Sequence, residues 1–186
     1  MTNAETVEAT TMEIRTLRDN AADAAAFATY RSDWLNHDVA NPYSRDIRAR
    51  MVKEADYAQT MARTLQNLQP EAEWRVPQLD YYLFADSGAI VGETGCRLAM
   101  TPQLAETGGH IGYAVAPSQR GHGAAGQLLD FALAFFLRRH EPYVIITAFK
   151  GNAASRHVIE SRGGVLQKMV TDDAYAEPLC IYRIYL

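Results

Sequence analysis

The chain has 186 residues, of which 48% are hydrophobic and 22% are charged, and its formal net charge is −4. This length and composition predict a globular protein with a full-sized core. The acidic balance argues against nucleic-acid binding, which requires a basic surface. No apolar run approaches the roughly 20 residues that span a membrane. We therefore expect neither a nucleic acid nor a membrane as a partner.

The N-terminal segment and the cysteines bear on location. Residues 1–10 are polar, lack the pattern of a signal peptide, and predict a flexible tail before a single domain over residues 11–186. Cys96 and Cys180 lie far apart in the sequence, which favours two reduced core thiols over a disulfide. Neither cysteine has the spacing of a zinc site. The sequence therefore predicts a cytoplasmic protein without a metal.

The apolar periodicity changes near the middle of the chain, from helical spacing to the alternation and continuous apolar runs of strands. The first half predicts a strand at residues 12–17 and then a helix that Asp19 or Asn20 caps and that ends at about Asn36. A second helix, capped by Ser44, is predicted to end at about Leu68, and a linker follows at 71–78. The second half predicts strands at 81–85, 89–98 and 109–116, with a loop from Thr101 to Gly108. A helix from Gly121 to about Arg139, a strand at 143–149 and a short helix after Asn152 follow. The last two predicted strands are at 165–170 and 179–186. This order predicts an α/β fold with a mixed sheet.

The most informative stretch runs from Tyr113 to Gly126 and reads as a strand, a glycine-rich turn and the start of an apolar helix. A helix start carries unpaired N–H groups and the positive end of the helix dipole. Glycines in the turn let that backbone approach a ligand closely. The stretch therefore predicts a phosphate site on the turn after Val115.

Two common phosphate-binding turns fit this stretch less well. The P-loop requires a lysine and a Ser or Thr where Ala124-Ala125 stand, so it is excluded. Gly121, Gly123 and Gly126 match the spacing of the dinucleotide fingerprint, but the acidic residue expected about 20 positions later would be Glu141, at a helix end. A nucleotide-binding oxidoreductase is therefore kept as an alternative.

A third pattern fits better. The run Arg-Gly-His-Gly-Ala-Ala over residues 120–125, with its preceding strand and following Leu-Leu helix, resembles the acyl-CoA loop of the GNAT superfamily of N-acyltransferases. The apolar strand at 143–148 and the segment 151–164, with its Asn, Ser and Gly-Gly, resemble the next part of that family. The strands at 81–84, 90–93 and 108–113 are similar to its central hairpin. The resemblance covers about residues 79–170.

The resemblance implies a central mixed, mostly antiparallel sheet, flanked by helices and splayed at the acyl-CoA site, with acetyl-CoA as co-substrate. It implies that the strand backbone pairs with pantetheine and that the N–H groups of the turn hold the pyrophosphate. Asn152 would contact the pantetheine or phosphate end, although Asn152 and Ser155 fit a helix N-cap and first turn equally well. The implied cofactor-binding residues are Tyr113, Ala114, Val115, Arg120, Gly121, His122, Gly123, Ala124, Ala125, Gly126, Asn152 and Ser155.

One position departs from the family. Ile159 stands where many members have a tyrosine that protonates the departing CoA thiolate, so another acid acts or the thiolate leaves unprotonated. Glu93 in the hairpin and His110 in the strand before the turn are candidates for deprotonating the amine. The alternates, as acid or as lining, are Tyr81, Tyr82 and Tyr113.

These residues predict an N-acetyltransferase that moves an acetyl group from acetyl-CoA to a primary amine of a small molecule or peptide by direct transfer. The alternative is a non-catalytic acyl-CoA-binding or sensing module, which the isoleucine at position 159 motivates. A homodimer is compatible with the sequence. The acceptor amine is not defined by it.

Overall fold

The computed structural model describes residues 12–72, 75–171 and 176–186. The tail predicted over residues 1–10 and part of the linker predicted over residues 71–78 lie outside the described residues.

Within these ranges, seven strands form one mixed sheet. They are β1 (Glu13–Arg15), β2 (Gln78–Phe84), β3 (Ile90–Arg97), β4 (Ile111–Val115), β5 (Tyr143–Phe149), β6 (Val165–Val170) and β7 (Leu179–Tyr185). The spatial order is β1-β2-β3-β4-β5-β7-β6, and every neighbouring pair is antiparallel except β4 and β5. The predicted mixed, mostly antiparallel sheet is confirmed.

The helices are α1 (Ala21–His37), α2 (Arg45–Lys53), α3 (Tyr57–Leu68), α4 (Pro102–Thr107), α5 (Ala124–Arg138) and α6 (Ala153–Glu160). Helix α5 makes the crossover between the parallel strands β4 and β5, as parallel pairing requires. Asn20 caps α1 by accepting a hydrogen bond from the N–H of Asp23 at 2.9 Å, so one of the two predicted caps is confirmed.

The single helix predicted from Ser44 to Leu68 is wrong. Helix α2 ends at Lys53, and α3 begins after Asp56, whose side chain accepts from the N–H of Gln59 at 2.9 Å. The side chain of Arg31 donates to the carbonyl oxygens of Met51 and Glu54 at 2.7 and 3.0 Å. These bonds satisfy carbonyls at the end of α2, where the helix would otherwise leave them unpaired.

The loop predicted from Thr101 to Gly108 is also wrong, because residues 102–107 form helix α4. The Thr101 hydroxyl accepts a hydrogen bond from the N–H of Leu104 at 3.2 Å, and Pro102 occupies the first helical position. A threonine cap followed by proline is a common helix start, so the sequence carried this signal.

Helices cover both faces of the sheet. On one face, Leu129 and Phe136 of α5 pack in a buried cluster with Ile111 of β4 and Ile146 of β5. The same cluster holds both cysteines as buried free thiols, as predicted. On the other face, an aromatic cluster joins α1 to α2 and the sheet through Phe27, Tyr30, Trp34, Met51 and Tyr82. The two layers fix the strands between them.

The sheet opens between β4 and β5. These strands pair at a single register position, with Ile111 opposite Ile146. Beyond it, β4 continues to Val115 with partners on β3 alone among the described strands. Strand β5 instead pairs along its whole length with β7. The predicted splay is therefore present, and one edge of β4 faces a cleft.

Candidate active site

The cleft between β4 and β5 contains a cavity of about 250 Å³. Its lining includes Gly112, Tyr113, Thr147, Ala148, Asn152 and Ser155. Because β4 has no partner among the described strands on this side beyond Ile111, its N–H and C=O groups are available to an extended ligand. Such a ligand could add to the sheet edge in the manner of an extra strand.

A larger cavity of about 580 Å³ lies on the face of the sheet that α2 and α3 cover. Side chains from β2, β3, α2 and α3 line it, and most of them are charged or polar. The two cavities share Asp46, Gly112 and Tyr113 in their linings. They therefore meet at β4, where a ligand lying in the cleft and a second ligand in the larger cavity would come together.

The glycine turn lies between β4 and α5. Gly121 and Gly123 have φ values of +83° and +80°, a region that other L-residues rarely adopt. A Cβ at either position would meet nothing within 4 Å, so the space above the turn is open. Gln127 bonds back to the carbonyl of Gly123 at 3.2 Å, and the N–H groups of residues 124–126 precede it in the first helical turn. This is the arrangement of an anion site.

The side chains of the turn have separate tasks. Arg120 donates to Asp38 at 3.0 and 2.7 Å and to the carbonyl of Val115 at 3.3 Å, so its guanidinium braces the turn. His122 is exposed. A Cβ on Gly126 would collide with the guanidinium of Arg162, so its missing side chain serves the packing of α5 against the end of α6. The backbone of the turn, more than its side chains, borders the open space beside Gly121 and Gly123.

Asn152 and Ser155 stand at the start of α6. The Asn152 side chain accepts from the N–H of Ser155 at 3.1 Å, which makes it the N-cap, and both residues also line the cleft. The Ser155 hydroxyl lies 2.9 Å from the hydroxyl of Tyr113, and the Tyr113 hydroxyl donates to the Ser155 carbonyl at 3.2 Å. Burial raises the pKa of Tyr113 despite the Ser155 hydrogen bond. A protonated phenol therefore stands beside the cleft.

Ile159 is fully buried in the cluster that contains Leu129 and Phe136, and it lines neither of the two cavities. The position that holds a tyrosine in many family members is therefore occupied here by a core residue. Burial also raises the pKa of the Cys96 thiol to about 12, which argues against a thiolate nucleophile.

The two candidate bases differ in their surroundings. Glu93 lines the larger cavity, accepts a hydrogen bond from Arg50 on Oε1, and has no partner on its buried Oε2 among the described residues. His110 lines neither cavity. Its Nδ1 accepts from the N–H of Ile145 at 2.9 Å, and burial lowers its pKa. The structure brings Glu93, but not His110, to the space beside the cleft.

The three tyrosines named as alternates lie in different places in the structure. Tyr82 lines the larger cavity, and its hydroxyl accepts from Arg63 at 3.2 Å. Tyr81 faces the opposite layer, where its ring packs 4.8 Å from that of Phe131. Of the three tyrosines named from the sequence, Tyr113 alone lines both cavities.

Sequence reasoning missed a set of charged side chains around the larger cavity. Asp80 accepts hydrogen bonds from Arg63 at 2.6 Å, Asn67 at 2.8 Å and Gln78 at 2.6 Å. Besides Glu93, the charged residues that line this cavity are Asp46, Arg50, Arg63, Arg75, Asp80 and Arg97. A signal existed for the two strand residues, Asp80 on β2 and Arg97 on β3, because polar residues at a spacing of two mark one face of a strand.

Strands β4 and β5 separate beside the glycine turn at the start of α5. This is the arrangement that the resemblance implies for a CoA-dependent acyltransferase. Comparison of the sequence with protein families agrees with this class. The family described as acetyltransferase (GNAT) domain matches residues 11–165. The chain belongs to this GNAT acetyltransferase family.

Solved structures share the fold at low sequence identity. Ribosomal-protein-S5-alanine acetyltransferase from Vibrio fischeri is 14% identical, with a TM-score of 0.63 over 96% of this chain and 97% of that one. Spermidine N-acetyltransferase from Vibrio cholerae, in complex with CoA and spermine, is 12% identical, with a TM-score of 0.63 over 94% and 95%. RimL, a ribosomal L7/L12 α-N-protein acetyltransferase in complex with CoA, is 16% identical, with a TM-score of 0.63 over 94% and 98%.

A search of curated protein sequences gave no match. In the described part of the chain, no helix combines the length and apolarity that a membrane crossing needs. No group of three or more His, Cys, Asp or Glu side chains in the same ranges is placed to hold a metal ion.

Proposed function

We propose that this protein transfers the acetyl group of acetyl-CoA directly to a primary amine of a small molecule or peptide. The observation that carries the proposal is the junction of two cavities at β4, one in the splayed cleft and one lined by Glu93. A two-substrate transfer needs a place for each substrate and a point where they meet. A protein that only binds or senses acyl-CoA needs no second cavity.

The acyl-CoA would lie across the cleft. Its pyrophosphate would accept hydrogen bonds from the N–H groups of the turn at residues 121–126, where the dipole of α5 favours negative charge. Its pantetheine arm would pair with the free edge of β4. The thioester would then lie near Gly112 and Tyr113, at the junction with the larger cavity.

The amine would enter from the larger cavity and attack the thioester carbonyl carbon. Negative charge then develops on the carbonyl oxygen, and N–H groups of β4 would stabilise it. The nitrogen gives up a proton to the carboxylate of Glu93, directly or through water, because this residue lines the larger cavity. Collapse of the intermediate forms the amide and breaks the carbon–sulfur bond.

The thiolate of CoA leaves in that last step, and Tyr113 is positioned to protonate it. The hydroxyl of Tyr113 lies beside the cleft, and its hydrogen bond with the Ser155 hydroxyl at 2.9 Å orients it. Because burial raises its pKa, the phenol keeps its proton at neutral pH. Tyr113 would thus replace the acid that the buried Ile159 cannot supply.

The structural relatives support this assignment through their names, which include a spermidine N-acetyltransferase and two acetyltransferases of ribosomal proteins. A cytoplasmic location remains a prediction, and the two buried free thiols, Cys96 and Cys180, are compatible with a reducing compartment.

Calorimetry and release of the CoA thiol test the proposal. Acetyl-CoA should bind and raise the melting temperature by mass action. NAD, which a nucleotide-binding oxidoreductase would bind, should do neither. Acetyl-CoA mixed with a panel of primary amines should then release thiol at a rate that depends on the amine. Binding without amine-dependent release would favour the sensing module, and absence of binding would overturn the acyl-CoA site itself.

A further inference from the structure

Of Arg50, Arg63 and Arg97, which all line the larger cavity, Arg97 differs in that its only hydrogen-bond partners among the described residues are backbone carbonyls. Its Nη1 donates to the carbonyl oxygens of Gly108 and Gly109, each at 3.0 Å. Its Nε and Nη2 have no hydrogen-bond partner among the described residues, and it forms no ion pair within those ranges. Burial lowers its pKa. A guanidinium stays charged even so, and within the described ranges this edge of the cavity therefore carries a positive group that no carboxylate pairs with.

The nearest carboxylate does not supply that counter-ion. Asp80 is close enough to act on Arg97 electrostatically, but no ion pair joins them. Its Oδ2 accepts from Arg63 and Asn67, and its Oδ1 accepts from Gln78. Asp80 is therefore held by its own three donors. The fork of Arg97 formed by Nε and Nη2 has the geometry that binds a carboxylate through two parallel hydrogen bonds.

Between Glu93 and Arg97 the open part of the floor lies over β4, because the Gln78 side chain comes within 2.8 Å of the place where a Cβ on Gly95 would stand. Both residues lie on the same face of β3, four positions apart, so their Cα atoms are about 13 Å from each other. Gly95 stands between them, and its partner across the strands is Gly112 of β4. A Cβ on Gly112 would meet nothing within 4 Å. An elongated molecule could lie on this floor and reach both ends.

The charged residues that line the larger cavity disfavour binding of a polycationic acceptor. Glu93 is paired with Arg50 and Asp80 with Arg63, so two of the acids are already neutralised. Asp46 lies at the junction with the cleft, where it is 82% exposed and paired with Arg45. A polyamine would need several free carboxylates, whereas an acceptor with one negative group would meet Arg97.

We propose that the acceptor is an amine that also carries a carboxylate, with the carboxylate on Arg97 and the amine beside Glu93. This inference rests on the proposed function, because it names the substrate class of the same site.

The test uses pairs of probes that differ in one group. Each of several α-amino acids, ω-amino acids of increasing length and dipeptides is compared with its carboxamide, and spermine is added as a polycation. Binding to the CoA-loaded protein is measured by calorimetry, and turnover by thiol release, with rates expressed per neutral amine. At least one carboxylate should exceed its carboxamide by about tenfold or more, as expected for a charged hydrogen bond.

Variants of Arg97 test the named contact. In Arg97→Gln the ratio of carboxylate to carboxamide should fall by about tenfold, and Arg97→Lys should restore part of it. Arg18→Gln, which changes an exposed arginine outside both cavities, should keep the wild-type ratio. The ratio compares two probes on the same preparation, so it holds even if a variant is partly unfolded.

Two results would overturn the proposal. The first is a panel in which carboxamides or spermine bind and react as well as the carboxylates. The second is a wild-type preference that Arg97→Gln leaves unchanged. In either case thiol release with any amine leaves the acetyltransferase assignment standing, whereas failure of acetyl-CoA itself to bind would remove that assignment before any acceptor is compared.

Discussion

Arg120, which begins the glycine turn, is joined to Asp38, which ends the first helix, by two hydrogen bonds of 3.0 and 2.7 Å. The guanidinium also lies 5.3 Å from the ring centre of Trp34 and donates to the carbonyl of Val115. The turn is thus fixed to α1 on one side and to β4 on the other. An anion site made of backbone N–H groups needs a turn that is held in place, because the N–H groups bind an anion only when they point at it together.

Asp38→Asn should weaken acetyl-CoA binding several-fold and lower the free energy of unfolding by about 1–2 kcal/mol, because it leaves Arg120 without its carboxylate. Burial works against ionisation of Asp38, but hydrogen bonds from Arg120 and Ser44 outweigh it and lower its pKa. The contribution is therefore present at neutral pH and is lost as pH falls through the lowered folded-state pKa. Calorimetry and urea unfolding at pH 7 and at acid pH measure both effects.

Glu106→Gln is the control for Asp38→Asn, because it breaks an exposed ion pair with Lys168 that joins α4 to β6 and includes no residue of the turn. It should change neither acetyl-CoA affinity nor stability by more than a few tenths of a kcal/mol. Equal acetyl-CoA affinity in Asp38→Asn and wild type would show that the turn does not need this brace.

Gly123→Ala should reduce acetyl-CoA affinity by about tenfold or more, since the added Cβ would stand in the open space where a phosphate must approach the backbone. The φ of +80° also adds strain of about 1–2 kcal/mol for alanine. Gly88→Ala separates the two effects, because Gly88 has the same φ of +80° and the same empty surroundings in the β2–β3 hairpin. It should lower the melting temperature similarly and leave acetyl-CoA affinity intact, and equal affinities in the two variants would contradict a phosphate site at the turn.

Much of the fold could be predicted from the sequence because its signals are local. The strand at Tyr143–Phe149 has the same bounds in prediction and structure, since a continuous apolar run between breakers is typical of a strand buried on both faces. The glycine turn and the α5 crossover follow from Gly and Pro placement and helical periodicity. The two wrong predictions, one long helix from Ser44 to Leu68 and a loop from Thr101 to Gly108, also concern local signals, because Asp56 and Thr101 are helix caps.

The acceptor side of the site could not be predicted in this way. Arg50 and Glu93 are 43 positions apart, and no local pattern indicates that their side chains meet. The two candidate bases looked equivalent as polar residues in strands. Only the packing shows that the His110 ring contacts Phe136 in the core while Glu93 faces the larger cavity. Tertiary contacts of this kind depend on how helices cross the sheet, which one sequence does not specify.

Glu93→Gln should lower kcat/KM by at least about 100-fold with little change in acetyl-CoA affinity, because a positioned base contributes about 10²–10⁴ to rate. The amide keeps the shape but cannot take the proton from the attacking amine. The matched control is Glu13→Gln, an exposed glutamate on β1. Steady-state rates on the best amine of the panel give the comparison. If His110→Ala, with its fold intact by circular dichroism, loses the rate while Glu93→Gln does not, His110 is the base and the assignment is reversed.

Tyr113→Phe should lower kcat by about tenfold or more, with the KM for acetyl-CoA nearly unchanged, because it removes the proton donor for the departing thiolate and keeps the ring that lines the cleft. Burial raises the pKa of Tyr113 above the usual range of a tyrosine, so the phenol stays protonated at neutral and mildly alkaline pH. Tyr81→Phe is the control, since Tyr81 packs against Phe131 outside both cavities. Rates measured from pH 7 to pH 9 should therefore show a constant deficit for Tyr113→Phe and none for Tyr81→Phe. Equal rates for the two variants would mean that the thiolate leaves without Tyr113.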